Sequence, residues 1–124
     1  MASRYPAQPS YVLVVQDDPI LLMMMVEFVE NAGCEAVEAT TVAEVIRLLE
    51  TRTDIRTVFT DLDMRGSTVG MQLAITIRDR WPPVELIMIS SQPWEAAKIP
   101  ARGIVLGKPF DRRKIEAAIR TFAG

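Results

Sequence analysis

Four positions carry side chains that could work together on an anion: Asp17, Asp61, Ser90 and Lys108. Each stands just after a short apolar run. The runs are Tyr11 to Val15, Val58 to Thr60, Leu86 to Ile89 and Ile104 to Leu106. The chain has no histidine and a single cysteine, Cys34. The usual catalytic base, the commonest zinc ligand and any internal disulfide are therefore missing, and chemistry falls to carboxylates, hydroxyls and amines. Carboxylates meeting in one crevice repel unless a hard cation sits among them, and an oxygen-only site that keeps some waters suits Mg²⁺. A lysine and a hydroxyl beside it would complete an anion-stabilising set for a phosphoryl group. Taken alone, Asp61 reads equally well as a turn residue at a strand end, and Ser91 competes with Ser90 for the hydroxyl position.

The segments between the apolar runs are helical or strand-like. Asp18-Pro19 is a helix start, with a capping carboxylate before a proline at the first helical position, and that helix runs to about Ala32, where Gly33 ends it. Glu35 to Ala39 reads as a strand. Thr41 to Glu44 has the capping-box pattern, followed by Val45, Ile46 and Leu49 at helical spacing. A further helix runs from Val69 or Gly70 to about Arg80 and stops before Pro82-Pro83. Gln92 to Arg102, with Pro93 and Pro100, allows only a fourth helix that is short or irregular. Asp111 caps a last helix with Ile115, Ala118, Ile119 and Phe122 on one stripe. The expectation is an α/β fold, a doubly wound five-stranded parallel sheet with helices on both faces. Ligands of such sheets bind outside the carboxyl ends of the strands, where these polar residues should converge.

The first helix carries two apolar stripes. Leu22, Met25, Val26 and Val29 form one; Leu21, Met24 and Phe28 form the other. One stripe suffices for packing on a sheet, so the second is either a partly exposed partner contact or part of a wider buried face.

With 124 residues, 49% apolar and 24% charged, the chain fits one globular domain, read as residues 11–124 behind a flexible leader, residues 1–10. A net charge of −2 disfavours stand-alone binding of nucleic acid. No run of apolar residues is long enough for a membrane span or a secretory signal, which points to the cytoplasm.

VLVVQDDP (Val12 to Pro19), VFTDLDM (Val58 to Met64), LIMISS (Leu86 to Ser91) and GKPF (Gly107 to Phe110) together resemble the receiver domain of two-component response regulators, in particular the small single-domain receivers of alphaproteobacteria. The resemblance covers Tyr11 to Phe122. It implies a flavodoxin-like sheet of order 2-1-3-4-5 and Asp61 as phosphoacceptor, taking a phosphoryl group from a histidine kinase or phosphotransfer protein. It also implies Mg²⁺ held by Asp17, Asp61 and the backbone carbonyl of Asp63, whose side chain would be solvated. Gln16 and Asp18 would stand behind these ligands, Asp18 chiefly as a helix cap. Ser90 and Lys108 would hold phosphoryl oxygens, the Lys108–Pro109 peptide would be cis, and Leu21, Met24 and Phe28 would fall where a kinase or phosphotransfer helix docks.

The chain departs from that pattern in several places. Gln16 stands where the family usually has an acid, which should weaken metal binding. Val105 stands where a Tyr or Phe usually couples to the switch hydroxyl, here Ser90. Arg65 replaces a frequent proline. The leading expectation is a single-domain response regulator signalling through an unknown output protein, with a homodimer as one arrangement open to it. It would perform its own phosphotransfer and dephosphorylation without being a metabolic enzyme. The alternative is a degenerate receiver that binds its partner regardless of phosphate. A remote third reading is a haloacid-dehalogenase-like phosphatase, suggested by Asp61-Leu62-Asp63 but opposed by the order of the acids.

Overall fold

The computed structural model describes residues 9–64 and 67–123, apart from the side chain of Ser67. Most of the expected leader, and Arg65, lie outside that description. The chain runs β1 (Tyr11–Val15), α1 (Pro19–Asn31), β2 (Glu35–Ala39), α2 (Val42–Thr51), β3 (Ile55–Asp61), α3 (Ser67–Arg80), β4 (Glu85–Ser90), β5 (Ile104–Gly107) and α4 (Arg112–Ala123). The five strands are parallel, in the order β2-β1-β3-β4-β5. Between β4 and β5 lies only the 3₁₀ turn Ala96–Lys98, the short element expected there. No described helix is long and apolar enough to cross a membrane.

Alternation along the strands builds two cores, because successive side chains point to opposite faces. Val12, Val14, Phe59, Ile87 and Ile89 pack under α1 and α4. Leu13, Val15, Val58, Leu86 and Met88 pack under α2 and α3. With both faces covered, the central strands read as near-continuous apolar runs.

The local signals close the helices as their chemistry dictates. The Asp18 carboxylate accepts from the Ile20 and Leu21 N–H groups at the start of α1. Thr41 accepts from Glu44 N–H and donates back to its carboxylate. Asp111 accepts from the Arg113 and Lys114 N–H groups. Gly33 follows α1 at φ 87°, a left-handed conformation that glycine adopts without strain.

Three expectations need correction. First, β3 begins at Ile55 rather than Val58. Tyr11 aligns with Ile55 and Val12 with Thr57, so the register skips Arg56, whose exposed charge interrupts the apolar run without ending the strand. Second, α3 begins at Ser67. Gly70 lies within its first turn, and glycine is required there because a Cβ would stand 2.4 Å from the Leu62 carbonyl oxygen.

Third, Phe28 is buried, not partly exposed. Its ring meets Phe110 edge-on, with centroids 5.8 Å apart, a contact between α1 and the segment before α4 that helical periodicity cannot show. Leu21 is half-buried and Met24 exposed, while the most exposed apolar side chains of α1 are Ile20 and Met23, each 72% exposed.

Candidate functional site

The carboxyl ends of β1, β3, β4 and β5 meet at one edge of the sheet. The pairing of Asp61 with Ile89 and of Ser90 with Gly107 fixes the relative heights of three strands. Beyond those pairs, Leu62 N–H donates to the Ile89 carbonyl and Lys108 N–H to the Ser90 carbonyl, so the register continues into the loops that carry the site.

Asp61 is buried at the end of β3 and both its oxygens are engaged. Oδ2 accepts from Lys108 Nζ at 2.9 Å and from Gln16 Nε2 at 2.6 Å; Oδ1 accepts from Asp63 N–H at 2.8 Å. Gln16, also buried, directs its Oε1 to the N–H groups of Asp17 and Asp18. That pair of contacts fixes which end of the amide faces Asp61: the carbonyl end caps the β1 turn, and the NH₂ end is left for the carboxylate. Gln16 therefore binds the candidate phosphoacceptor directly rather than standing behind metal ligands.

The Asp63 side chain is also placed differently from expectation. It is not solvated. Oδ1 accepts from the Ser90 hydroxyl at 2.9 Å, and Oδ2 accepts from Ser91 N–H at 2.8 Å and pairs with Lys108 Nζ at 3.1 Å. Burial pushes the Asp63 carboxyl up, but the hydrogen bonds from Ser91, Ser90 and Lys108 outweigh it and hold the group at about 2. Burial pushes Lys108 down, and its contacts with Asp61 and Asp63 reverse this, leaving it above its ordinary value. One ammonium thus serves two carboxylates, and Asp17 lies half-buried in the turn between β1 and α1.

Ser90, not Ser91, is the buried hydroxyl. Its Oγ accepts from Gln92 N–H and from the Trp94 indole N–H, each at 3.0 Å. Trp94 was not singled out from the sequence; the available signal is an indole in an aperiodic, proline-flanked segment, whose N–H needs a partner once half-buried. Val105 is half-buried on β5 and packs against the α2–α3 core, opposite Met88 in register. The Lys108–Pro109 peptide is cis.

The oxygens suited to a hard cation are the Asp17 and Asp61 carboxylates and the Asp63 carbonyl. Among the described residues no group of three or more His, Cys, Asp or Glu forms a metal cage. Two carboxylates and a carbonyl nevertheless fit Mg²⁺ by donor type, since that ion commonly takes one or two carboxylates and retains waters. A buried aspartate paired with an ammonium can act as a nucleophile toward an electrophilic phosphorus, with that ammonium as a donor for the phosphoryl oxygens.

A family profile described as the response regulator receiver domain matches residues 12–120. Among solved structures, a response regulator receiver protein from Pseudomonas putida is 26% identical, with TM-score 0.78 over 94% of this chain and 99% of that one. One from Sinorhizobium medicae WSM419 is 24% identical, with TM-score 0.81 over 94% and 95%. The beryllofluoride-activated NtrC4 receiver domain dimer is 22% identical, with TM-score 0.76 over 91% and 95%. No curated protein matches the chain.

Proposed function

The chain belongs to the response regulator receiver domain family, and from that premise we propose that it is a phosphorylation-controlled signalling module with Asp61 as its phosphoacceptor. The observation that carries this reading is the buried Asp61 carboxylate paired with Lys108 at 2.9 Å, a lysine it shares with Asp63, the acceptor of the Ser90 hydroxyl.

In the reaction an Asp61 carboxylate oxygen attacks the phosphorus of a phosphohistidine on a histidine kinase or phosphotransfer protein. The new O–P bond forms as the P–N bond breaks, and the imidazole leaves with the electron pair. Lys108 and the Ser90 hydroxyl hold equatorial oxygens and so meet the developing charge. Asp17, Asp61 and the Asp63 carbonyl would hold Mg²⁺, which when bound supplies charge neutralisation for the transferring oxygens. Hydrolysis of the acyl phosphate resets the module without making it a metabolic enzyme, and the family match leaves the phosphatase reading without support. The output passes through a protein partner, with self-association a further route; the lone cysteine accords with a reducing, cytoplasmic setting.

The kinase or phosphotransfer partner docks on α1 at Leu21 and Met24, with the exposed Ile20 and Met23 extending the face. Phe28 supports that face from below through Phe110.

The test is intact-protein mass after incubation with acetyl phosphate and Mg²⁺. A single phosphoryl adduct is expected, absent from Asp61→Asn and from protein treated with a chelator. No adduct under any condition overturns the phosphoacceptor reading. It would favour a phosphate-independent binding module, the reading that the Gln16 amide on Asp61, in place of an acid, independently supports.

A further inference from the structure

The site already contains an anion bound by donors that a phosphoryl group would use. The Asp63 carboxylate gathers a hydroxyl from Ser90, a backbone N–H from Ser91 and the Lys108 ammonium on its two oxygens. A hydroxyl, an amide and an ammonium converging from different directions are what the oxygens of a tetrahedral oxyanion require. Asp61 shares the same lysine.

Resting on the reading of Asp61 as phosphoacceptor, we propose that the Asp63 carboxylate is an internal occupant of the phosphoryl-oxygen positions, displaced when Asp61 is phosphorylated, and that Ser90 transmits the displacement to Trp94. The exclusivity comes from proton counting. Ser90 has one hydroxyl proton and Ser91 one amide proton, so neither can serve Asp63 and a phosphoryl oxygen at full strength together. Lys108 has three protons and can remain with both carboxylates, but a phosphoryl group beside Asp63 places two anions on one ammonium. Asp63 can yield because its side chain is 21% exposed and can turn toward solvent.

The route to Trp94 follows from the second half of the Ser90 contacts. While the Ser90 proton points at Asp63, the oxygen accepts from Gln92 N–H and Trp94 Nε1. Turning that proton toward a group on Asp61 rotates the lone pairs away from at least one of the two. Gln92 N–H is fixed two residues along the backbone, whereas Trp94 reaches Ser90 by its side chain alone and is followed by a turn of three residues. Trp94 is accordingly the partner that moves. Val105 has no polar group with which to follow the hydroxyl, so the indole takes the place of a signal from β5.

The experiment uses the full chain, ¹⁵N-labelled, as wild type, Asp63→Ala and Asp63→Asn, with Trp94→Phe to assign the indole resonance. Before any phosphodonor is added, Asp63→Ala should move the Ser91 amide and Trp94 indole resonances in the same direction as phosphorylation moves them in wild type. With limiting acetyl phosphate and Mg²⁺, its adduct should form about threefold to tenfold faster, the range of one hydrogen bond gained or lost. Asp63→Asn keeps an acceptor for Ser90 but loses the charge on Lys108, and should fall between the two while preserving the fold. A uniform charge effect would speed the reaction without moving the two resonances toward their phosphorylated positions, and that result overturns the proposal. So does an adduct that forms no faster in either variant while wild type is phosphorylated normally. An absence of adduct in wild type and both variants instead removes the phosphoacceptor reading itself.

Discussion

The Ser90 hydroxyl donates to Asp63, not to Asp61, although Asp61 ends β3 and Asp63 stands only two residues beyond it. The two carboxylates divide the donors between them. Asp61 takes Gln16, Lys108 and the Asp63 N–H; Asp63 takes Ser90, Ser91 and a share of Lys108. The consequences can be measured one donor at a time.

Ser90→Ala removes a buried hydroxyl that satisfies three partners. Asp63, Gln92 N–H and Trp94 Nε1 each lose a contact, and the expected loss of stability is about 1–3 kcal/mol, the size of an unsatisfied buried group. Urea unfolding midpoints at neutral pH check it, with a change in Trp94 fluorescence as the local readout. An unchanged midpoint would mean that water replaces the hydroxyl at no cost.

Gln16→Asp removes the amide that donates to Asp61 Oδ2 and sets a second carboxylate, one methylene shorter, facing Asp61. Without metal, two like charges facing each other in this buried turn should lower stability by about 1–3 kcal/mol. Mg²⁺ should restore it, with an affinity above that of wild type. Thermal melts with a chelator and across a Mg²⁺ titration read both effects, and wild type should respond less to chelator than the variant does.

Phe28→Ala should cost about 3 kcal/mol by opening a cavity beneath Phe110. Met23→Ala, on the exposed side of the same helix, should change stability by less than about 0.5 kcal/mol. If Met23 lies in the docking face, the substitution Met23→Glu slows transfer from a cognate phosphodonor protein while acetyl phosphate still reacts at the wild-type rate.

Acid should weaken the fold through Asp63. Its carboxyl sits at about 2 in the folded protein against an ordinary 3.8. The folded-state value is depressed, so its contribution is fully present above about pH 4 and is lost as pH falls toward 2. Metal-free unfolding midpoints of wild type should drop across that window relative to Asp63→Asn, which has no proton to take up there. Parallel pH profiles for the two proteins would contradict the assignment.

The amino-acid sequence by itself determined the alternation of strands and helices, the caps at Asp18, Thr41 and Asp111, and which strand ends carry Asp61, Ser90 and Lys108. These are local matters, set by apolar periodicity and by side chains that bond to backbone groups within four residues. Parallel pairing then brings the strand ends together, so the meeting of Asp61, Ser90 and Lys108 at one sheet edge was legible too. Only the tertiary structure decided how the members bond. The orientation of the Gln16 amide depends on the Asp17 and Asp18 N–H groups behind it. The Asp63 carboxylate turns inward because Ser90, Ser91 and Lys108 arrive from β4 and β5. Phe28 is buried because Phe110 comes from the far end of the chain, and Trp94 joins the site because an irregular segment folds its indole back onto Ser90. Hydrogen-bond direction and side-chain burial depend on which groups meet across long sequence separations, and no local pattern encodes them.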